Sequence, residues 1–394
     1  MNARRTTARN GAPSALRAVA PGGALARVAA RAATRLSKAL QYMALAVLAF
    51  GIGGPSATAH ADDAPQLLCE PYAGVTTETG AHAGMVQVAG GRFTMGSDEH
   101  YAEEALSREV QIDGFWIDRH DVTNAQFARF VAATGYVTLA ERGPDLARHP
   151  DLPAEMRMPG SVVFVFPEGG HAGRWRYVAG ASWRHPQGPG SSVEGLANHP
   201  VVHVAHEDAA AYARWLGHDL PTEAQWEYAA RAGLHAQPYV WGSEFTPHGK
   251  PMANTWQGQF PLFNTGDDGH LGTSPVGCYP ANNHGLFDMA GNVWQWTSTW
   301  YRPRHNGRPE SNPTGPNELE SYDPRQPGVP AKVIKGGSHL CAPNYCMRYR
   351  PAARQAREPD SGTSHIGFRT VLNQARASLL SKGGTAASSK REDS

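Results

Sequence analysis

Apolar and polar residues alternate through Met85-Val86-Gln87-Val88. They alternate again through Arg92-Phe93-Thr94-Met95-Gly96, with Gly90-Gly91 between the two runs. This pattern predicts a hairpin closed on a Gly-Gly turn. Val110–Asp113 and Phe115–Ile117 predict a further strand or pair of strands. The period then changes. Thr123 followed by Gln126 is a capping box, and Phe127, Phe130 and Val131 recur at helical spacing behind it. A second helix is expected over about Glu207–Leu216, acidic at its start and stopped by Gly217. A third opens at Pro221-Thr222-Glu223-Ala224-Gln225, carries Trp226, Tyr228 and Ala229 to Arg231, and stops at Gly233. Residues 137–200 read as long ordered loops around one strand, Val162–Phe166. From Tyr239 to about Thr370 turns dominate and no period persists. No internal repeat and no clear linker interrupts the chain. The expected fold class is α+β, one loop-rich domain with little regular secondary structure.

Composition agrees. Gly and Pro supply 73 of the 394 residues, well above the usual combined share of roughly 12%. The net charge of +1 hides an asymmetry. Residues 1–61 hold eight of the 36 basic residues and no acidic one, which leaves 28 basic against 35 acidic residues beyond them. A nucleic-acid partner is therefore not expected. The basic stretch itself has the layout of a secretory signal peptide. Arginines and Lys38 precede an apolar run from Ala39 to Gly54, then Ala59-His60-Ala61 offers a small-x-small cleavage site before Asp62-Asp63. The expected organisation is a signal peptide over 1–61, a leader over 62–81, one domain over 82–372 and a disordered tail over 373–394. The mature chain would be exported, periplasmic or secreted, and without a membrane span.

Four cysteines are present: Cys69, Cys278, Cys341 and Cys346. They are too few for a disulfide scaffold. Cys69 and Cys278 could pair with each other. The four-residue gap in Cys341-Ala-Pro-Asn-Tyr-Cys346 is too wide for a C-x-x-C redox motif, and the second pair of a structural zinc site is missing. Spacing alone allows a local disulfide or two free thiols. Two soft thiolates without harder partners suit Cu(I). A separate set, His199, His203 and His206, has helical metal-ligand spacing, but Val201-Val202-His203-Val204 reads as extended chain, which would split the three between faces.

The text around the thiols goes further. Gly336-Gly337-Ser338-His339-Leu340-Cys341, Cys346-Met347-Arg348-Tyr349-Arg350, Pro359-Asp360-Ser361 and Gly367-Phe368-Arg369 stand in order. Before them come Gly90-Gly91-Arg92-Phe93-Thr94-Met95-Gly96, Val122-Thr123-Asn124, Trp183-Arg184-His185-Pro186 and His199-Pro200-Val201-Val202-His203-Val204. Leu220-Pro221-Thr222-Glu223-Ala224-Gln225-Trp226 and Gly285-Leu286-Phe287-Asp288-Met289-Ala290-Gly291-Asn292-Val293-Trp294-Gln295-Trp296 complete the series. Over about residues 82–372 the chain resembles the formylglycine-generating enzymes, the sulfatase-modifying factor family, whose fold is C-type-lectin-like.

The resemblance implies a copper-dependent oxidase that converts the cysteine of a Cys-x-Pro/Ala-x-Arg motif to Cα-formylglycine. Its partners would be an unfolded sulfatase polypeptide, O2 and a thiol reductant, and it would act as a monomer. Cys341 and Cys346 would hold Cu(I), Ser338 and Trp294 would line the oxygen pocket, and Tyr345 would flank the metal loop. Trp183 and Arg184 would lie near the substrate groove, and His365 stands where relatives often have Asn. Two structural Ca2+ ions are also implied. Asn254, Thr255, Asp268 and His270 match the first site, and Asp288, Gly291, Val293 and Gln295 the second. Relatives commonly open the second set with Asn and close it with Glu, so here the carboxylate has moved while the formal charge is unchanged. Positions where animal relatives place additional cysteines hold Pro351 and Thr370. Many relatives share the fold without the thiol pair, so the alternative is a non-catalytic exported C-type-lectin-like binding or assembly factor. Retention of Cys341, Cys346 and Ser338 argues for the oxidase.

Overall fold

A computed structural model describes residues 80–147 and 150–373 of the chain. The expected signal peptide, nearly all of the expected leader and the tail beyond residue 373 lie outside the described residues. So does Cys69.

Twelve short strands and four helices are described, in four small sheets. Strands β1 (Met85–Val88), β4 (Phe115–Asp118) and β12 (Val371–Asn373) form one sheet, and β2 (Gly91–Met95), β3 (Arg108–Ile112) and β8 (Glu310–Ser311) a second. Strands β5 (Gly160–Val165) and β6 (Arg174–Ala179) make a hairpin. The fourth sheet has the order β10 (Gln355–Arg357), β9 (Lys332–Lys335), β7 (Trp294–Trp300), β11 (Ile366–Gly367). The helices are α1 (Asn124–Thr134), α2 (Leu139–Arg142), α3 (His206–Leu216) and α4 (Glu223–Arg231).

The hairpin expected at Met85–Gly96 does not form. Strand β1 pairs antiparallel with β4, and β2 pairs antiparallel with β3. Gly90 marks the crossing from one sheet to the next. A Cβ there would lie 2.7 Å from the Ile112 carbonyl oxygen and 2.8 Å from the Gly114 nitrogen, so only glycine lets the chain pass the β3–β4 turn so closely. The expected helices do form. Thr123 and Thr222 cap α1 and α4 through complete capping boxes, and Gly217 closes α3 in the left-handed region.

The core is aromatic. Phe127 and Phe130 on α1 pack against Tyr212 on α3, with Phe368 beside Phe127 and Tyr212. Each such ring, fully buried, contributes about 2–3 kcal/mol. A buried ionic cluster ties α4 to β9. Glu227 accepts from the Gly96 amide at 2.8 Å, from Arg231 at 2.8 Å and from Lys335 at 3.1 Å. Burial alone would raise the Glu227 pKa. The two cations and the amide more than offset it, so it lies below its usual range.

Candidate active site

The turn into β7 assembles the site. Gly291 and Asn292 both take positive φ, 75° and 55°. A side chain on Gly291 would overlap the Asn254 carbonyl and approach the Ala253 Cβ to 3.1 Å. The Gly291 amide donates to Gly336 O (2.9 Å), and the Asn292 amide to Asn254 O (2.8 Å). The Asn292 carbonyl takes the His339 amide at 2.9 Å and His339 Nδ1 at 2.8 Å. One tight turn therefore holds both the 254 loop and the segment leading into the cysteines.

Ser338 is fully buried; its carbonyl accepts the Cys341 amide at 2.9 Å and its Oγ the Leu340 amide at 3.3 Å. The Cys341 carbonyl accepts the Trp256 amide at 3.0 Å, and the Ala342 carbonyl accepts the amides of Tyr345 and Cys346. This turn brings Cys341 and Cys346 to a Cα separation of 4.6 Å, where they are joined as a disulfide. Both are buried, Cys346 being the less so at 7% exposure. Of the possibilities that spacing left open, the structure shows the bridged form. Cys278 is also disulfide-bonded. Trp294 is buried at the start of β7, and its amide donates to the His365 carbonyl at 2.8 Å.

Tyr101, Glu103 and Glu104 clamp the chain that leaves Cys346. The Tyr101 hydroxyl accepts the Met347 amide (3.2 Å), and the Arg348 guanidinium lies 4.0 Å above the Tyr101 ring. Glu103 binds Arg348, and Glu104 binds Arg350 through both oxygens. The outer face of the cysteine loop is aromatic and open. Tyr345 is 56% exposed and stacks on Phe260 with ring centroids 4.1 Å apart, while Asn344 exchanges two hydrogen bonds with the Phe260 backbone. Leu262, Phe263 and Met347 are further exposed apolar side chains in these two loops.

His365 packs at a tilt against Trp175 of β6, ring centroids 4.6 Å apart, and bonds Thr363 Oγ1 through Nδ1. Burial, reinforced by nearby His339, Arg357 and His203, holds its pKa well below the ordinary imidazole value. His339 is likewise neutral, lowered to about 4 by burial despite the Asn292 carbonyl. A cavity of about 260 Å3 opens beside this segment, lined by Phe164, Phe166, Pro186, His339 and Ser364 among others. The larger cavity, about 680 Å3, is lined by Arg108, Glu223, His305 and Arg354 among others and contains neither cysteine.

The first expected calcium set converges. The Asp268 carboxylate accepts the amides of Thr255 (3.0 Å) and His270 (3.1 Å), and the Asp268 carbonyl takes the Tyr279 hydroxyl. Asn254 Oδ1 is buried with no hydrogen-bond donor. Burial raises the Asp268 pKa to about 6 despite those amides. A buried carboxylate without a cation and an orphaned amide oxygen form a hard-oxygen set that suits Ca2+. In the second set Gln295 is already committed. Gln295 Oε1 already accepts Trp226 Nε1 (2.6 Å) and Arg369 Nε (2.8 Å), and Gln295 Nε2 donates to the Asp288 carbonyl (2.8 Å).

Trp183 and Arg184 differ in burial. Trp183 is 1% exposed and packs edge-on against Phe127 in the core, whereas Arg184 is exposed, lies 4.3 Å over the Trp183 ring and pairs with Glu141. The three histidines meet different partners, although the segment is not the expected strand and His203 takes a φ of 59°. His199 meets Thr273, His203 meets Ser161 and the Pro186 carbonyl, and His206 meets the Thr297 carbonyl. No cluster of three or more His, Cys, Asp or Glu suited to a metal occurs among the described residues. The cysteine pair is thus a purely sulfur donor set, which once reduced fits Cu(I). Sequence reasoning missed Tyr101, Glu103 and Glu104, which lie far from the cysteines in sequence, and Phe260, which lies in the stretch where turns dominate. It passed over Asn292, although Gly-Asn before a strand is a signal for positive φ.

Comparison with known proteins agrees with this architecture. Residues 73–374 match the family model described as the sulfatase-modifying factor enzyme 1-like domain, and the chain belongs to that family. It is 51% identical over 295 residues to the formylglycine-generating enzyme of Mycobacterium tuberculosis (strain ATCC 25618 / H37Rv), covering 73% of this chain and 97% of that protein. It is also 36% identical to the mouse (Mus musculus) protein named inactive C-alpha-formylglycine-generating enzyme 2, over 74% of this chain and 86% of that one. Among solved structures, PvdO from Pseudomonas aeruginosa shares the fold with a TM-score of 0.51 at 23% identity, covering 76% of this chain and 98% of that one.

Proposed function

We propose that this chain converts the cysteine of a Cys-x-Pro/Ala-x-Arg segment in an unfolded sulfatase to Cα-formylglycine, with O2 as oxidant. The observation that carries the reading is the juxtaposed pair Cys341–Cys346, buried at the foot of an open aromatic rim. An inactive relative shows that the fold alone does not make the enzyme. Once a thiol reductant opens the disulfide, the Cys341 and Cys346 thiolates would hold Cu(I), which would supply the one-electron chemistry through which O2 can oxidise a thiol. The substrate carbon loses its sulfur as hydrogen sulfide and gains a carbonyl oxygen. O2 is reduced to the level of water, and two electrons and two protons come from the reductant.

The chain's own residues do the rest. Tyr345, braced by Phe260, gives an extended peptide a flat apolar platform. Ser338 and Trp294 would line the oxygen pocket, their backbones held by hydrogen bonds to Cys341 and His365. Burial keeps His339, which lies two residues before Cys341 in the chain, neutral. Asn254 and Asp268, with the Thr255 and His270 carbonyls, would hold Ca2+ and so stiffen the loop whose Trp256 amide binds the Cys341 carbonyl. The pattern of residues 1–61 supports export, and no helix among the described residues is long and apolar enough to cross a membrane.

The test is an oxygen electrode. The purified protein, reduced and loaded with Cu(I), should consume O2 only when a Cys-x-Pro-x-Arg peptide and a thiol reductant are present, and the Ser-x-Pro-x-Arg peptide should elicit none. Equal uptake with both peptides would refute the proposal. The absence of uptake with copper bound would favour the binding-factor reading.

A further inference from the structure

We infer that this protein carries one calcium ion and that Gln295 stands in for a second. The inference rests on the calcium part of the reading above and is independent of the oxidation chemistry.

The argument is a count of donors and acceptors. Gln295 is fully buried. Its Oε1 receives two strong donors, the Trp226 indole at 2.6 Å and the Arg369 Nε at 2.8 Å, which occupy both lone pairs. Its Nε2 points the other way and donates to the Asp288 carbonyl at 2.8 Å. Swapping the amide's nitrogen and oxygen would face a donor against two donors, so this orientation is fixed by its partners. Arg369, itself fully buried, donates to the Phe287 carbonyl at 2.8 Å and to the Asp288 carbonyl at 3.2 Å. Its nearest carboxylate is Asp121, at 3.5 Å. The Asp288 carbonyl is therefore met by an amide N–H and by a guanidinium, while the Asp288 carboxylate accepts the Gly277 amide at 2.8 Å. A divalent cation would have to break the Gln295 contact and approach the guanidinium.

A glutamate in the same place reverses this. One oxygen could still accept from Trp226 and Arg369. The other would replace Nε2 and confront the Asp288 carbonyl, acceptor against acceptor, an arrangement that a hard cation between them relieves. The amide of Gln295 removes that demand without leaving a polar atom unpaired. At the first site Gln257 Nε2 donates to the Thr255 carbonyl at 3.1 Å and reaches the Asp268 carboxylate at 3.4 Å, but Asn254 Oδ1 is left without a donor.

The experiment is a calcium count. Purified protein is stripped with a chelator, dialysed against calcium and analysed by inductively coupled plasma mass spectrometry, beside Gln295→Glu and Asp268→Asn. The expected result is one calcium per wild-type chain, two in Gln295→Glu and none in Asp268→Asn. Gln295→Glu is near-isosteric, and calcium-dependent thermal unfolding of the same samples reports whether each variant folds. Two tightly held ions in the wild type overturn the inference, as does a single ion that Gln295→Glu does not increase. A wild-type protein that binds no calcium refutes the first-site reading itself, which the activity assay would not reveal.

Discussion

Replacing Gly291 by alanine tests whether one turn holds both loops of the site. At φ 75° an alanine loses about 1 kcal/mol against glycine. Its Cβ would also overlap the Asn254 carbonyl oxygen and come within 3.0 Å of the Asn254 carbonyl carbon, so the turn must withdraw. Withdrawal breaks the bonds from the Gly291 amide to Gly336 and from the Asn292 amide to Asn254, each about 1 kcal/mol net. The total is about 3 kcal/mol, or a fall of roughly 5 °C in Tm for a domain of this size. Gly233→Ala is the control. It shares a positive φ, 81°, but an added Cβ meets nothing within 4 Å, so the strain alone remains, about 1 kcal/mol. Thermal unfolding followed by tryptophan fluorescence, in saturating calcium, compares the two. Equal losses in both variants would refute the claim that close approach at Gly291 couples the loops. The same variant should lower turnover, because the Asn292 carbonyl anchors His339 just ahead of Cys341.

Four further outcomes are expected. Cys341→Ser or Cys346→Ser should abolish peptide turnover and sharply weaken Cu(I) binding in a chelator-competition titration; full activity in either would exclude the copper mechanism. Tyr345→Ala should raise KM for the peptide about fivefold, the worth of one aromatic contact, and leave Cu(I) affinity unchanged. Removing calcium with a chelator should lower Tm in the wild type and leave Asp268→Asn unaffected, as differential scanning calorimetry would show. Stability should fall as pH drops below about 6.5. His206 is held neutral by burial, with a pKa near 3, and His203 by burial, near 4. Between those values and 6.5 the unfolded chain binds the extra protons, so acid favours unfolding. His206→Phe should flatten the pH dependence of urea unfolding by up to about 1.4 kcal/mol per pH unit, and an unchanged slope would contradict the assignment.

The helices were legible because their chemistry is local. Thr123, Gln126, Thr222 and Gln225 meet within one turn, and Gly217 ends α3 where it stands in the text. The strands were less so. Gly90-Gly91 reads as a turn between two partners, but the pairing partners of β1 and β2 are β4 and β3, and nothing local distinguishes a hairpin from a sheet change. Strand β7 was hidden because its polar residues are buried. Gln295 bonds Trp226 and Arg369, and Thr297 bonds the Val333 carbonyl, so no alternation of burial marks it. The site divides in the same way. Cys341, Cys346 and Ser338 announce themselves within one segment. The Tyr101–Glu104 clamp on Met347–Arg350 exists only in three dimensions. The Asp288 and Gln295 substitutions conserve charge on paper, and only the hydrogen bonds around Gln295 show that its oxygen is taken.

The central claim, that this chain makes formylglycine, is tested most directly by mass spectrometry of a Cys-x-Pro-x-Arg peptide after incubation with the purified protein, Cu(I), O2 and a thiol reductant. The account predicts a copper-dependent loss of about 18 Da, sulfur and two hydrogens exchanged for one oxygen, and a product aldehyde that hydrazine traps. An unmodified peptide in a sample whose Cys341–Cys346 site is confirmed to hold Cu(I) would contradict it.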